Sequence, residues 1–141
     1  MKKPRILFIT NSTGSRLWRI DPVQKYLENV KGWECIQMES QAYNPDAVLY
    51  CDIIVLQMVF DKRIFDLAKK HNKKIVFEAD DLMEWVPDDH YAKDDMSLKR
   101  TLMVASAFRK ADLVTVTNEN LKKRYDKYRI GKQKCFIFPN Y

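Results

Sequence analysis

Two rhythms of apolar residues alternate along this chain. Short runs rich in β-branched and aromatic residues recur at 5–10, 33–38, 52–58, 74–78, 112–117 and 135–138, and each reads as a β-strand. Between them the apolar positions switch to spacings of three and four. Leu17, Ile20, Val23, Leu27 and Val30 predict one helical stretch that Gly32 ends, with Pro22 better suited to a first turn than to a helix interior. Ile64, Phe65 and Ala68 predict a helix over 61–71, and Leu98, Leu102, Ala105 and Phe108 predict one over 95–110. A short helix is predicted over 118–128. The run 52–58 is apolar almost throughout, as a strand covered on both faces should be.

Strands alternating with helices of this length imply right-handed βαβ connections. The expected fold is α/β: a Rossmann-like parallel sheet of about six strands with helices on both faces. At 141 residues the whole chain, 1–141, is expected to be one such domain. No internal repeat or low-complexity segment interrupts it.

Composition narrows the function classes. Cys35, Cys51 and Cys135 are too scattered for a zinc site or a disulfide framework and fit reduced thiols, hence a cytoplasmic protein. The longest nearly apolar stretch, 53–60, is interrupted by Gln57 and is too short to cross a bilayer. The net charge of +6 conceals a segregation. Residues 78–95 carry eight acids against Lys93, whereas 99–134 carry eleven Lys or Arg against three acids. Such a basic tract can contact phosphates, nucleic acid or the anionic inner face of a membrane, or simply form solvated helix faces.

Open parallel sheets bind ligands beyond the carboxyl ends of their strands. Here those ends are the loop after Thr10, Gln57, residues 78–81 and residues 117–119. In the first loop Ser12, Thr13, Gly14, Ser15 and Arg16 can form an anion cradle, with Arg19 adding charge, or can be an ordinary capped helix start. A single glycine there argues against dinucleotide binding. The densest feature is Glu78, Asp80, Asp81 and Glu84, followed by Trp85 and His90. Carboxylates at a central strand end can accept sugar hydroxyls or act as a general base, Trp85 can stack on a sugar ring, and His90 can exchange a proton near neutral pH. The carboxylates can also hold a divalent metal, although no second ligand set is fixed by spacing, or form a solvated loop that caps the next helix. Asn118, Glu119 and Asn120 can face a ligand or can cap the next helix. No nucleophile triad can be assembled, and the residues by themselves reach a ligand-binding α/β domain.

Four segments carry a family resemblance, in order: Lys3-Pro4-Arg5-Ile6-Leu7-Phe8-Ile9; Asp52-Ile53-Ile54-Val55 followed by Lys74-Ile75-Val76-Phe77-Glu78-Ala79-Asp80-Asp81-Leu82; Ala111-Asp112-Leu113-Val114-Thr115-Val116-Thr117-Asn118-Glu119-Asn120-Leu121; and Phe136-Ile137-Phe138-Pro139-Asn140-Tyr141. Together they resemble the N-terminal, acceptor-side domain of a GT-B glycosyltransferase of the family 4-like group. The resemblance implies that a nucleotide-sugar donor binds mainly on a second domain, in the same chain or another, and that a sugar or lipid-linked acceptor binds here. It implies no bound metal at Asp80 and Asp81, no cofactor bound by this domain alone, and a cleft lined by Ser12 to Arg16, Asp80, Asp81, His90 and Asn118. Two departures stand out. The first loop lacks the family's paired glycines, and the second domain, with its Glu-x7-Glu element, does not follow within the sequence, so the chain alone is not expected to transfer sugar.

A stand-alone ligand- or partner-binding module is the competing expectation. A nucleic-acid binder would use the basic tract, but no nucleic-acid motif accompanies it. A phospho-receiver fails because the first strand ends in Thr10-Asn11-Ser12 rather than an acidic pair.

Overall fold

The structure, a computed structural model, describes residues 2–11, 13–81, 98–128 and 134–139. Strands β1 (Arg5–Thr10), β2 (Glu34–Glu39), β3 (Ile53–Gln57), β4 (Lys74–Ala79), β5 (Leu113–Val116) and β6 (Lys134–Ile137) form one sheet in the order β2-β1-β3-β4-β5-β6. All five neighbouring pairs are parallel. The fold is a Rossmann-like α/β domain. Its strand order reverses between β1 and β3, and a crevice opens at that switch point beyond the carboxyl ends.

The helices are α1 (Thr13–Arg19), α2 (Asp21–Tyr26), α3 (Pro45–Tyr50), α4 (Lys62–Lys70), α5 (Leu98–Lys110) and α6 (Glu119–Tyr125). The single stretch expected from 17 to 30 is divided. It breaks at Ile20, restarts with Pro22 in the first turn of α2, and finishes in a π-helical turn, Leu27–Lys31. Proline suits a first turn because the N–H it lacks would have no helical partner there. Gly32 then closes the turn at φ 61°, a left-handed conformation that glycine adopts without a Cβ penalty. Helix α3 was not expected. Pro45 starts it and the side chain of Asn44 caps it by accepting from the Asp46 N–H at 2.9 Å, but it buries only Val48, so no periodicity announces it.

Side chains alternate across the sheet. Leu7, Ile9, Ile54, Leu56, Ile75, Phe77, Val114 and Val116 form the main core with α3 to α6. Phe77 centres a chain of rings there: Phe60 at 5.2 Å, Phe108 at 5.5 Å, and Tyr125 a further 4.7 Å beyond Phe108. On the opposite face Ile6 and Phe8 pack with Ile20, Val23 and Leu27 in a much smaller cluster. Helices therefore lie on both faces, as expected, but their cover is unequal.

Candidate functional site

Parallel strands of similar register deliver their carboxyl ends to one edge. Ala79 of β4 stands beside Val116 of β5, so Asp80 and Asp81 leave the sheet next to Thr117 and Asn118. Between them lies an open hollow of about 530 Å³ lined by Asp80, Asp81, Thr117, Asn118, Asn120 and Arg124. Asp80 is half-buried and Asp81 exposed. The Tyr125 hydroxyl donates to the Asp81 carbonyl at 2.7 Å and so ties the loop after β4 to α6. Asn118 caps α6, accepting from the Leu121 N–H at 2.9 Å, while its amide donates to the Thr117 hydroxyl at 3.1 Å. Glu119 is exposed in the first turn of α6.

A second hollow, about 440 Å³, opens past β1 and β3 among Asn11, Ser40, Gln41, Met58, Asp61 and Arg63. Met58 holds φ 54° there, an uncommon conformation for a residue with a Cβ.

Gln57 and Glu78, expected to face a ligand at this edge, are buried beneath it at 1% and 4% exposure and line neither hollow. Glu78 is paired with Arg19. The guanidinium donates through Nε to Oε1 at 2.6 Å and through Nη2 to the same oxygen, and Nη1 donates to the Phe138 carbonyl at 2.8 Å. Burial pushes the Glu78 carboxyl above its ordinary range, with Arg19 opposing and the Asp80 charge adding to the rise. The amide of Gln57 and Oε2 of Glu78 have no hydrogen-bond partner among the described residues. Arg19, read from sequence as added charge for an anion cradle, is instead the inward half of this ion pair.

Gly14, Ser15 and Arg16 of the first loop lie away from both hollows. A Cβ on Gly14 would meet open space, so no close approach demands glycine there. Arg16 reaches Asp21 at 3.6 Å, and Thr13 opens α1. Ser12, Trp85 and His90 lie outside the described residues.

Of the sequence-predicted residues, the structure thus brings together Asp80, Asp81 and Asn118. Asn120, read with Asn118 and Glu119 as a helix cap or a ligand contact, joins them, and Arg124, part of the basic tract read as phosphate-contacting or as a solvated helix face, is added. The spacing of four between Asn120 and Arg124, which puts both on one face of α6, is the signal that could have found Arg124. Among the described residues no three acidic, histidine or cysteine side chains cluster as metal ligands, and no helix is long and apolar enough to cross a membrane.

Comparison by sequence returns no matching family model and no matching curated relative. Among solved structures the chain is similar to a flavodoxin of Streptococcus pneumonia TIGR4, at 11% identity and a TM-score of 0.40, over 96% of this chain and 84% of that one.

Proposed function

We propose that this chain is the acceptor-side domain of a sugar transferase and that the acceptor's sugar enters the hollow at the ends of β4 and β5. One observation carries the reading: two carboxylates, two amides and a guanidinium line a single open hollow at the carboxyl edge of a parallel sheet. A sugar presents several hydroxyls, each both donor and acceptor. Carboxylates accept from them, the amide of Asn120 does both, and Arg124 donates. Transfer also requires a base at the acceptor. Asp80 or Asp81 takes the proton of the acceptor hydroxyl as its oxygen bonds to the donor's anomeric carbon, and the nucleotide departs with the electrons of the broken glycosyl–phosphate bond. The donor belongs to a second domain, so this chain's part is binding the acceptor and removing that proton. A nucleotide-sugar is the implied co-substrate, and polysaccharide assembly is the implied process. The basic residues of α5 and α6 suit an acceptor held at an anionic membrane surface.

The test is a titration of the isotope-labelled chain with glucose, galactose, mannose, N-acetylglucosamine and N-acetylgalactosamine, alongside uridine and guanosine diphosphates alone. At least one sugar should shift the amides of Asp80, Asp81 and Asn118 to Leu121 saturably, and Asp80→Asn should weaken that binding without unfolding the domain. Binding of the nucleotides with no sugar response would overturn the acceptor assignment.

A further inference from the structure

An apolar cavity of about 250 Å³ lies on the face of the sheet beneath α2, away from the carboxyl-edge hollow. Phe8, Val23, Val55 and Val76 are among its walls, and Arg19, Glu78 and Thr115 are its polar members. Glu78 and Thr115 are register partners on adjacent strands, side by side on the same face. Oε2 of Glu78 and Oγ1 of Thr115 are both buried with no hydrogen-bond partner among the described residues, and the Glu78 side chain is only 5% exposed. The Gln57 amide, beside Glu78 on β3, also acts on its carboxyl but does not line the cavity. Buried polar atoms in native proteins find partners, so the two vacant atoms that face the cavity, Oε2 and Oγ1, specify what belongs between them.

The chemistry narrows the partner further. The Arg19 guanidinium already neutralises Glu78 through Oε1, so the remaining oxygen calls for a donor without charge. The Thr115 hydroxyl can donate to the same group that donates to Glu78. A hydroxyl meets both demands at once, donating to the carboxylate and accepting from threonine. A lone water would satisfy these atoms but leave the apolar remainder empty, and the volume holds a ligand of roughly a dozen non-hydrogen atoms.

We propose that this cavity binds a small apolar alcohol, its hydroxyl bridging Glu78 Oε2 and Thr115 Oγ1 and its hydrocarbon lying against Phe8, Val55 and Val76. The site is independent of the acceptor reading, since it uses the face of the sheet rather than its edge.

Octan-1-ol and its isomer 1-methoxyheptane test this, because they share every atom type and differ in the hydroxyl donor. Titrated into the full 141-residue chain, octan-1-ol should shift the amides of Phe8, Val55, Val76 and Thr115 saturably and leave those of Asp81 and Asn118 in place. The ether should bind about tenfold more weakly, the worth of one hydrogen bond to a charged group. Thr115→Val keeps the shape, removes a donor that either ligand oxygen can accept from, and should weaken both isomers alike while leaving the ratio between them. Val55→Trp should fill the space and abolish both. Equal binding of the isomers, no saturable shift, or shifts that survive Val55→Trp would each overturn the proposal. Sugar binding at Asp80 and Asp81 is read separately in the same spectra.

Discussion

Arg19 and Glu78 meet where neither reaches bulk water, at 2% and 5% side-chain exposure, and that location decides what each is worth. A buried pair gains little over a well-packed apolar pair, but half of one is strongly unfavourable. Arg19→Met should therefore lower the urea-unfolding free energy by about 3–5 kcal/mol, because it strands the carboxylate. The double variant Arg19→Met, Glu78→Met should recover most of that loss, and equal losses in single and double variants would show that the charge is not the cause. The acid dependence of stability has two limbs of opposite sign. Glu78 holds its proton more tightly folded than unfolded, because burial raises its carboxyl above the ordinary 4.5. Its contribution is thus full below that value and is lost as pH rises through the folded value. Asp52 behaves oppositely. The Arg5 backbone N–H, at 2.9 Å, and then the Arg5 side chain lower its carboxyl below the ordinary 3.8. Its contribution is present above 3.8 and fades as pH falls through the lowered value. Urea midpoints measured across the acid range should show a smaller lower limb in Asp52→Asn, with Asp61 and Asp66, lowered by Arg63 and Lys62, keeping the rest, and should lose their upper limb in Glu78→Gln.

Helix α6 tests whether a residue at the site edge is there for the fold or for a ligand. Asn118→Ala removes the oxygen that accepts from Leu121 and should cost about 1 kcal/mol, whereas Asn118→Asp keeps that acceptor and should cost much less. If both variants lose sugar binding alike, the amide group serves the ligand and the oxygen serves the cap. This double use also explains what the sequence could and could not disclose. Asp80, Asp81 and Asn118 were legible because βαβ alternation assigns strand ends to one edge whatever the side chains do there. Arg124 was not, since on a seven-residue helix a polar residue facing a hollow looks like one facing water. Strands β3 and β4 declared themselves by unbroken apolar runs, while α3, six residues with Val48 alone buried, is too short to show a period. Pro22 raised the question of a helix start, and the structure answers it by beginning α2 there. The partnership of Arg19 with Glu78 spans 59 positions, and no local pattern records a contact at that distance.

The two faces of the sheet are unequally held, and stability should follow the same division. Helices α3 to α6 share the main core, whereas α2 and its π-helical turn rest on a cluster with only Ile6, Phe8 and Ile20 buried. Leu17, Trp18, Tyr26 and Val30, all along this thinner cover, stay 49–67% exposed, so they add little burial to hold it down. Regions with few buried apolar contacts open at free energies below that of global unfolding. Arg19 is the counterweight, because it fastens the end of α1 to Glu78 of β4 and to the Phe138 carbonyl just past β6. Native-state hydrogen exchange should accordingly find the amides of α2 and Leu27–Lys31 opening at lower cost than those of β1, β3 and β4, which should share the global value. Arg19→Met should lower protection in α2 more than its global cost accounts for, since it cuts the fastening as well as stranding a charge. Equal protection in α2 and β3 would mean that the domain opens only as a whole. The cavity between α2 and the sheet gives that local opening a use: an alcohol bound there should slow exchange in α2 first, by as much as its binding favours the closed form.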